Sequence, residues 1–121
     1  MIKLVYCLAR RADVSAEAFY AYWGGQHAAK VLERQKALRA VKYVQSHTVE
    51  PSLNALLQQS RGLEPPYDGI TEVWWESADA LRAVLETPQG MRAMQELAED
   101  ESTFIDFARS RVFMTEEHAI F

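Results

Sequence analysis

The sequence predicts an α+β fold in which a four-stranded antiparallel sheet carries two helices on one of its faces. Four short runs rich in β-branched and apolar residues are typical of strands, and two longer segments combine helical spacing with helix caps. These segments follow one another as strand–helix–strand and then again as strand–helix–strand. The chain has 121 residues, the length of one domain, so we expect a single domain over residues 1–121.

The first strand is predicted at Ile2–Leu8 and the first helix at residues 16–38. Ser15 precedes this helix, where its hydroxyl can accept hydrogen bonds from the first free backbone N–H groups. Gly24 and Gly25 lie in the middle of the helix, and each costs about 1 kcal/mol there relative to alanine. The pair therefore predicts either a kink or a place where another group packs against the backbone.

The second and third strands are predicted at residues 41–49 and 67–76, with a short leucine-containing helix in the connection between them. Pro51 ends the second strand, and Pro65 and Pro66 close the connection. The side chains of the third strand alternate between two faces. One face carries Ile70, Glu72 and Trp74, and the other carries Thr71, Val73 and Trp75.

The second helix is predicted in two parts, at residues 78–86 and 89–99. Ser77 caps the first part, and Thr87 caps the second part with Pro88 at its first helical position. A proline is tolerated there because the N–H group that it lacks would have no partner within the helix.

A short helical turn at residues 104–107 and a last strand at residues 111–120 complete the predicted pattern. Two strand–helix–strand units in this order form a ferredoxin-like α+β sandwich. Three tryptophans, and strands that are apolar on both faces, exceed what one helix layer covers. We therefore expect the opposite sheet face to pack against a second copy of the chain, which makes the protein a homodimer.

The composition is that of an ordinary globular protein: 49% of the residues are hydrophobic, 25% are charged and the net charge is −4. This charge argues against binding to nucleic acid, which requires Lys and Arg clustered on one face. The single cysteine, Cys7, excludes an intrachain disulfide and fits a reducing compartment. No run approaches the length of a membrane span, and Met1 leads directly into a strand-like run without the pattern of a signal peptide. We therefore expect a cytoplasmic protein that binds neither nucleic acid nor membranes.

The most informative segment is the aromatic stripe that runs from Phe19 to His27 and contains the glycine pair. Phe19, Trp23 and His27 are four residues apart, so they share one helix face, and two large rings predict that this face is buried. An imidazole gains and loses a proton near neutral pH, which makes His27 the first candidate for a general acid or base. The alternative is a structural core histidine that is hydrogen-bonded to a backbone carbonyl.

A second candidate group lies on the predicted second strand. Tyr43, Gln45 and His47 alternate onto one face and present a phenol, an amide and an imidazole in one row. Such a row can orient a substrate carbonyl and carry a proton, with His47 and Tyr43 as the catalytic candidates. The alternative is that His47 is simply solvated at the end of the strand.

Glu72 lies between two apolar residues on one face of the third strand, which predicts a partly buried carboxylate. It either serves the site or forms a structural salt bridge with Lys3 or Arg111. With aromatic residues as walls, we expect the substrate-binding residues to be Tyr20, Trp23, Gln45, Glu72 and Trp74.

Neither a metal ion nor an organic cofactor is expected. His27, His47 and His118 show no close-spaced ligand pattern, and one cysteine cannot form a zinc site. The glycine pair lies inside a helix rather than between a strand and a helix, so the chain has no dinucleotide fingerprint.

Four segments of the sequence resemble those of one known family. They are the capped aromatic helix with Trp23 and His27, the strand Tyr43-Val44-Gln45-Ser46-His47, the segment Tyr67-Asp68-Gly69-Ile70-Thr71-Glu72-Val73-Trp74, and the late acidic stretch with Phe104-Ile105-Asp106 and Glu116-Glu117. Together they resemble the EthD-domain family of the dimeric α+β barrel superfamily, and only the long connection between Ser52 and Pro66 departs from its pattern. The resemblance implies a dimeric α+β barrel with a histidine at the position of His27 in or beside the pocket.

The resemblance also implies proton transfer on a small carbon skeleton without a metal or an organic cofactor. We expect dehydration, cyclisation or isomerisation of a small aromatic, polyketide-like or lactone substrate that binds between the helices and the sheet. In this hypothesis His27 carries the proton, and His47 and Tyr43 act as a second acid or as orienting donors. Two alternatives stay open: a cofactor-free monooxygenase, and a non-catalytic protein that carries a hydrophobic small molecule for a partner enzyme of a degradation pathway.

Overall fold

The chain folds as the predicted ferredoxin-like sandwich, with one antiparallel sheet and a layer of helices on one side. The computed structural model describes residues 1–121. In chain order the elements are β1 (Ile2–Leu8), α1 (Ala16–Tyr22), a π-helical turn (Trp23–His27), α2 (Ala28–Glu33), α3 (Gln35–Leu38), β2 (Lys42–His47), α4 (Pro51–Gln59), β3 (Gly69–Trp75), α5 (Ala78–Glu86), α6 (Pro88–Glu101), a 3₁₀ turn (Phe107–Arg109) and β4 (Arg111–Thr115).

The four strands lie in the order β2–β3–β1–β4, and every neighbouring pair is antiparallel. Paired residues lie side by side on the same face of the sheet, so the register assigns each side chain to one of two faces. We call the side packed against the helices the helix face and the other side the open face. Val73 pairs with Leu4 and Tyr43 on the helix face. Glu72 pairs with Val5 on the open face.

The alternation predicted for β3 is confirmed by burial. Thr71, Val73 and Trp75 on the helix face are only 6%, 8% and 2% exposed. The position of the Trp75 ring is also fixed by a hydrogen bond of 2.8 Å, which its Nε1 donates to the carbonyl of Leu38 in α3. On the open face, by contrast, Ile70 is 37% exposed. The helices therefore cover one face of the sheet and leave the other face uncovered.

The predicted first helix has the expected extent, and Ser15 caps it by accepting a hydrogen bond from the Ala18 N–H at 3.1 Å. The glycine pair, for which the sequence predicts either a kink or a close backbone contact, lies in a π-helical turn, in which hydrogen bonds reach one residue further than in an α-helix. The close contact is present, because a Cβ atom at Gly24 would lie 3.3 Å from Cε1 of His47. This widened turn begins at Trp23 and ends at His27. It therefore contains two of the three residues that the helical spacing assigned to the buried face.

Both predicted caps of the second helix are present. Ser77 Oγ accepts a hydrogen bond from the Ala80 N–H at 3.0 Å, and Thr87 Oγ1 accepts one from the Gly90 N–H at 3.0 Å. Glycine is required at position 90, because a Cβ atom there would lie 2.0 Å from the carbonyl oxygen of Val84. The end of α5 and the start of α6 therefore meet in direct backbone contact.

The last strand is shorter than predicted. It ends at Thr115 rather than near residue 120, because Thr115 pairs with Lys3 and β1 begins only one residue earlier. The chain beyond Thr115 therefore has no strand to pair with. It is held instead at Glu117, whose Oε1 accepts a hydrogen bond of 2.7 Å from Trp74 Nε1.

Two short helices differ from their predicted positions by a few residues. The turn predicted at residues 104–107 lies at Phe107–Arg109, because the side chain of Asp106 caps the residues that follow it. The helix predicted in the leucine-containing connection is α4. It starts at Pro51, since proline is favoured at the first helical position.

The core consists of two apolar clusters on the helix face. One cluster is formed by Leu8, Phe19, Trp23, Phe104 and Ile105, and the other by Val31, Leu38, Ala93 and Leu97. Residues of both clusters border the same cavity, so this cavity lies within the helix–sheet interface rather than at the surface of the sheet.

Several large apolar side chains remain exposed outside this core. Phe113 on the open face is 48% exposed, and Leu53, Leu56 and Leu57 of α4 are 54%, 64% and 56% exposed. The open face thus has the kind of apolar surface that the expected second copy would cover.

None of the helices combines the length and the apolar composition needed to cross a membrane.

Candidate functional site

A cavity of about 400 Å³ lies between the helix face of the sheet and the helices. This volume is typical of a site for a small molecule. Its wall is mostly apolar and is formed by all four strands, the π-helical turn, α2, α3, α6 and the segment that leads into β4. The polar side chains in the wall include Tyr6, His27, Tyr43, Thr71 and Glu101.

His27 is buried in this wall, as the helical spacing predicts, and is only 4% exposed. Its Nδ1 lies 2.7 Å from Oδ2 of Asp100 in α6. An ionised carboxylate only accepts hydrogen bonds, so Nδ1 carries the proton and Nε2 keeps a free lone pair. Nε2 makes no hydrogen bond to the protein, and His27 borders the cavity. The partner of His27 is thus a carboxylate and not the backbone carbonyl of the structural alternative.

Asp100 is the centre of a hydrogen-bond network. Besides the contact with His27, it accepts hydrogen bonds from the Tyr22 hydroxyl and from Lys30 Nζ, the latter at 2.7 Å. Burial raises the pKa of this carboxyl, but the hydrogen bonds from Lys30, Tyr22 and His27 outweigh burial and lower the pKa to about 2. Asp100 is therefore ionised at neutral pH and can hold His27 in one tautomer.

Opposing effects determine the pKa of His27. Burial lowers the pKa because it disfavours the charged imidazolium, whereas the Asp100 carboxylate raises it. The positive charges of Lys30 and Arg34 add to the effect of burial. The pKa of His27 is consequently lowered from that of an ordinary histidine. The ring is neutral at neutral pH, so Nε2 can accept a proton.

Glu101, the last residue of α6, is a second ionisable group in the cavity wall that the sequence pattern did not single out. Burial raises the pKa of its carboxyl to about 7, although Tyr6 beside it favours the charged form. The negative charge of Asp100 raises this pKa as well. A signal was present in the sequence, because Met94 and Ala98 line the same cavity and precede Glu101 at helical spacing.

Tyr43 and Trp23 lie in the cavity wall, as expected for site residues. Burial raises the pKa of the Tyr43 phenol, so the phenol stays protonated and can donate a hydrogen bond. The ring of Trp23 lies against Gly69, where a Cβ atom would be 2.5 Å from Cη2 of the indole. The glycine at the start of β3 therefore makes room for the aromatic wall of the cavity.

His47 and Gln45 lie outside the cavity, although they share a strand face with Tyr43. His47 is exposed, and its ring stacks on Trp23 with 4.3 Å between the ring centroids. Gln45 Oε1 lies 3.0 Å from His47 Nε2, and Gln45 Nε2 donates a hydrogen bond of 2.9 Å to the carbonyl of Trp23. The expected grouping of the three residues around one substrate is corrected for His47, whereas Gln45 borders a second cavity together with Tyr43. Gln45 and His47 pack against the π-helical turn, and only Tyr43 reaches the cavity.

Tyr20 also lies outside the cavity. Its hydroxyl donates a hydrogen bond of 2.7 Å to the carbonyl of Asp68. Its ring packs edge-on against Phe19 and stacks on His47. Tyr20 therefore supports the residues around Trp23 and does not border the cavity, in contrast to its expected place in the substrate wall.

Glu72 and Trp74 lie on the open face, so their expected place in the substrate pocket is corrected. Glu72 Oε2 is 2.7 Å from Lys3 Nζ, which is one of the two structural salt bridges that the sequence allowed. Trp74 donates its hydrogen bond to Glu117, and Lys42 Nζ lies 4.8 Å from the centroid of its ring. Strand alternation separates both residues from Val73, which faces the cavity.

The ionisable side chains are not grouped as metal ligands. No three His, Cys, Asp or Glu side chains are placed to hold a metal ion together. Asp100, the carboxylate that contacts His27, already accepts hydrogen bonds from three side chains. The polar side chains beside His27 are therefore held by hydrogen bonds to Asp100.

The EthD domain family model matches residues 11–108 of the chain. The fold resembles that of an EthD family protein from Bacillus halodurans, with a TM-score of 0.62 and 14% identity over 98% of this chain and 99% of that chain. It resembles At3g17210 of Arabidopsis thaliana with a TM-score of 0.64 and 15% identity over 100% of this chain and 99% of that chain. A putative antibiotic biosynthesis monooxygenase from Deinococcus radiodurans is similar with a TM-score of 0.53 and 15% identity over 100% of this chain and 96% of that chain. No curated protein sequence matches the chain.

Sequence identities this low show a shared fold and do not identify a reaction. The family match has a broader basis, because it covers most of the chain. It includes the π-helical turn with His27 and the end of α6 with Asp100 and Glu101. The chain therefore belongs to the EthD domain family.

Proposed function

We propose that this protein is a cofactor-independent enzyme that moves protons on a small hydrophobic or aromatic substrate. The observation that carries the proposal is the buried His27–Asp100 pair, with 2.7 Å between Nδ1 and Oδ2, in the wall of an apolar cavity. A carboxylate that orients a neutral imidazole toward a pocket is the arrangement that general-base catalysis requires. The proposed reaction is dehydration, cyclisation or isomerisation of an aromatic, polyketide-like or lactone compound.

Nε2 of His27 is the proposed proton acceptor. When Nε2 takes a proton, the ring becomes an imidazolium, and the ionised Asp100 beside Nδ1 stabilises the new positive charge. Tyr22 and Lys30 hold Asp100 through their hydrogen bonds. They are positioning residues, because they contact Asp100 and do not border the cavity.

Tyr43 is the proposed donor to an oxygen atom of the substrate. Its phenol is protonated at neutral pH and borders the cavity. Trp23 and Trp75 supply large aromatic surfaces in the wall, which suit a flat, apolar ring system. The proposed site therefore consists of His27, Asp100 and Tyr43 with these walls, while Tyr20, Gln45 and His47 support Trp23 from outside the cavity.

The test is an NMR titration of the three imidazoles in the full chain, with and without a panel of quinones, lactones and aromatic acids. His47 and His118 are exposed and do not border the cavity, so their signals control for ligand effects outside it. We expect His27 to titrate at a lower pH than an ordinary histidine and its signals to shift when a ligand binds. For a ligand that is converted, His27→Gln should abolish turnover. If only His47 or His118 responds to ligands, His27 is structural and the proposal fails.

A cofactor-free monooxygenase is the second candidate. It is supported by the fold shared with a protein described as a putative antibiotic biosynthesis monooxygenase and by the mostly apolar cavity. Such a reaction consumes oxygen in proportion to product, whereas isomerisation consumes none, so an oxygen electrode distinguishes the two. A non-catalytic carrier, the third candidate, binds the ligand without converting it and tolerates His27→Gln.

We further propose that the protein is a homodimer formed through the open face and that it resides in the cytoplasm. The dimer is supported by Phe113 and Ile70, which are 48% and 37% exposed on that face. The location is supported by the single cysteine, Cys7, which fits a reducing compartment.

A further inference from the structure

Glu101 and His27 lie in the wall of the same cavity, but their charged neighbours differ. Asp100, which contacts His27, accepts hydrogen bonds from three donors. Glu101 has no cationic partner, and the groups that act on its carboxyl are the Tyr6 phenol from β1 and the Asp100 carboxylate on its own helix. A partly buried carboxyl without a cation is costly to keep ionised. This environment is more typical of a reactive group than of a structural ion pair.

The cavity wall also lacks a positive charge for an anionic ligand. Arg111 is the only Lys or Arg residue that borders the cavity. Its pairing with Cys7 places its side chain on the open face of the sheet. An anionic ligand would therefore meet the Glu101 carboxyl without a compensating cation. An uncharged carbonyl compound, in contrast, can accept hydrogen bonds from Glu101 and Tyr43.

We propose that Glu101 is a second catalytic residue, which exchanges a proton with the carbonyl oxygen of an uncharged ketone or lactone while His27 exchanges a proton with the adjacent carbon. This inference rests on the proposed function of His27. It adds the second acid–base group and narrows the substrate class to uncharged carbonyl compounds.

The proposed forward step forms an enol. Nε2 of His27 removes a proton from the carbon beside the carbonyl group, and the electron pair of the broken C–H bond forms a C=C double bond. The π pair of the C=O bond moves onto the oxygen atom, which takes the proton of Glu101. The step leaves an imidazolium at His27 and a carboxylate at Glu101, so charge is conserved.

The return step restores both residues. The Glu101 carboxylate takes the hydroxyl proton of the enol, and His27 delivers its proton to a carbon atom. Delivery to the original carbon reverses the reaction, whereas delivery to a conjugated carbon gives an isomer. No oxidant, reductant or other co-reactant is required.

The protonation states support this division of roles. The pKa of Glu101 is about 7 because of burial, so the acid form is available up to neutral pH. The lowered pKa of His27 makes the neutral base available in the same range. The ionisable groups that act on the pair or border it are Tyr6 from β1, Tyr43 from β2, Asp100 from α6, Lys30 from α2 and Arg34 directly after α2.

The test uses the full chain and 2-tetralone, an uncharged bicyclic ketone with exchangeable protons beside its carbonyl group. Two readouts are combined: NMR of the glutamate carboxyl carbons and the imidazoles, and the rate at which the probe exchanges these protons for deuterium in D₂O. We expect 2-tetralone to shift the signals of both Glu101 and His27, and the protein to accelerate the exchange. Glu101→Gln should bind the probe but lose about 100-fold or more of the acceleration, as is typical for one acid–base group.

Two variants control for indirect effects. Glu99→Gln is the matched control, since Glu99 is exposed near the same helix end, and it should exchange the probe at the wild-type rate. Tyr6→Phe tests Tyr6 as a positioning residue for Glu101. Because Tyr6 favours the ionised carboxylate, its loss should raise the pKa of Glu101 and move one limb of the pH–rate profile to higher pH. A merely structural role of Tyr6 would leave that limb in place.

The outcomes separate this inference from the proposed function. If the probe shifts His27 but not Glu101, and Glu101→Gln exchanges the probe at the wild-type rate, Glu101 is not catalytic while the role of His27 stands. If the probe shifts neither signal and its exchange is not accelerated, the cavity does not act on uncharged ketones and the inference is overturned. In that case the panel of quinones, lactones and aromatic acids still decides the function of His27.

Discussion

At the level of single residues, burial acts in opposite directions on His27 and Glu101, two ionisable groups of the cavity wall. It disfavours charge, so it lowers the pKa of the His27 imidazole and raises the pKa of the Glu101 carboxyl to about 7. Asp100 is an exception because three donors stabilise its charge and lower its pKa to about 2. One apolar site thereby provides a neutral base, a protonated acid and an ionised anchor slightly below neutral pH.

The raised pKa of Glu101 predicts that Glu101→Gln changes how stability depends on pH. The carboxyl has an ordinary pKa of 4.5 in the unfolded chain and a pKa of about 7 in the folded protein. The unfolded chain therefore gives up this proton first as the pH rises, so the wild type loses stability between pH 4.5 and 7, by up to about 3 kcal/mol. The variant should lack this loss and be more stable than the wild type at about pH 8.

Urea unfolding between about pH 4 and pH 8 measures the effect, because the midpoint follows stability when the slope is unchanged. The Glu99→Gln curve should run parallel to that of the wild type, since Glu99 is exposed. Parallel curves for the wild type and Glu101→Gln would show that the carboxyl is not buried in a way that affects its ionisation.

At the level of elements, the π-helical turn determines where His27 and Trp23 lie. Such turns are rare, and they occur mostly as single widened turns within α-helices, frequently at functional sites. Here two strands support the turn from the sheet. Gln45 of β2 donates a hydrogen bond to the Trp23 carbonyl, and Gly69 of β3 leaves room for the indole ring. The position of His27 therefore depends on contacts outside its own helix.

This dependence predicts that Gly69→Ala is destabilising. The added methyl group would lie 2.5 Å from the Trp23 ring and 2.7 Å from the Ser46 carbonyl oxygen, so the ring or the strand backbone must move. Overpacking of this kind costs about 1–3 kcal/mol. Gly25→Ala is the control, because a Cβ atom there meets no other atom within 4 Å. It should leave stability unchanged or raise it by up to about 1 kcal/mol. Thermal unfolding compares the two, and equal midpoints would contradict the role given to Gly69.

The elements were predictable because their signals are local. Ser15, Ser77 and Thr87 stand next to the N–H groups that they cap, and the two faces of β3 follow from simple alternation. His27 was found in the same way, from its spacing to Phe19 and Trp23 on one helix face. Boundaries that depend on another element are less predictable. The end of β4 is an example, because β4 can pair with β1 only as far as β1 extends.

The rest of the site depends on contacts between residues far apart in the chain. Asp100 is 73 positions from His27, so no local pattern links them, although Asp100 follows the buried Ala93 and Leu97 at helical spacing. For Glu72, strand alternation divides the residues of β3 between two faces but does not indicate which face the helices cover. For His47, a place on the helix face of β2 is not sufficient to bring it to the cavity, because its end of β2 packs against the π-helical turn.

At the level of the whole molecule, the two faces of the sheet have different roles. The helix face is covered and contains the cavity, whereas the open face has apolar residues beside a chain of polar contacts. These contacts join Glu72 to Lys3 and Trp74 to Glu117. Salt bridges at the surface add little stability, so they do not replace the burial of the apolar part of this face. A second copy of the chain would bury that part without covering the cavity.

Phe113→Glu is predicted to separate the proposed homodimer into monomers. Phe113 pairs with Val5 on the open face and is 48% exposed, so in a face-to-face dimer it would lie within the interface. A carboxylate in an apolar interface loses hydration without gaining a partner. Light scattering at micromolar concentration should give twice the mass of one chain for the wild type and the mass of one chain for the variant. Leu32→Glu is the control, because Leu32 is 69% exposed on α2, in the layer on the other side of the sheet, and it should remain dimeric. A monomeric wild type, or dissociation of the Leu32 variant alone, would exclude the open face as the interface.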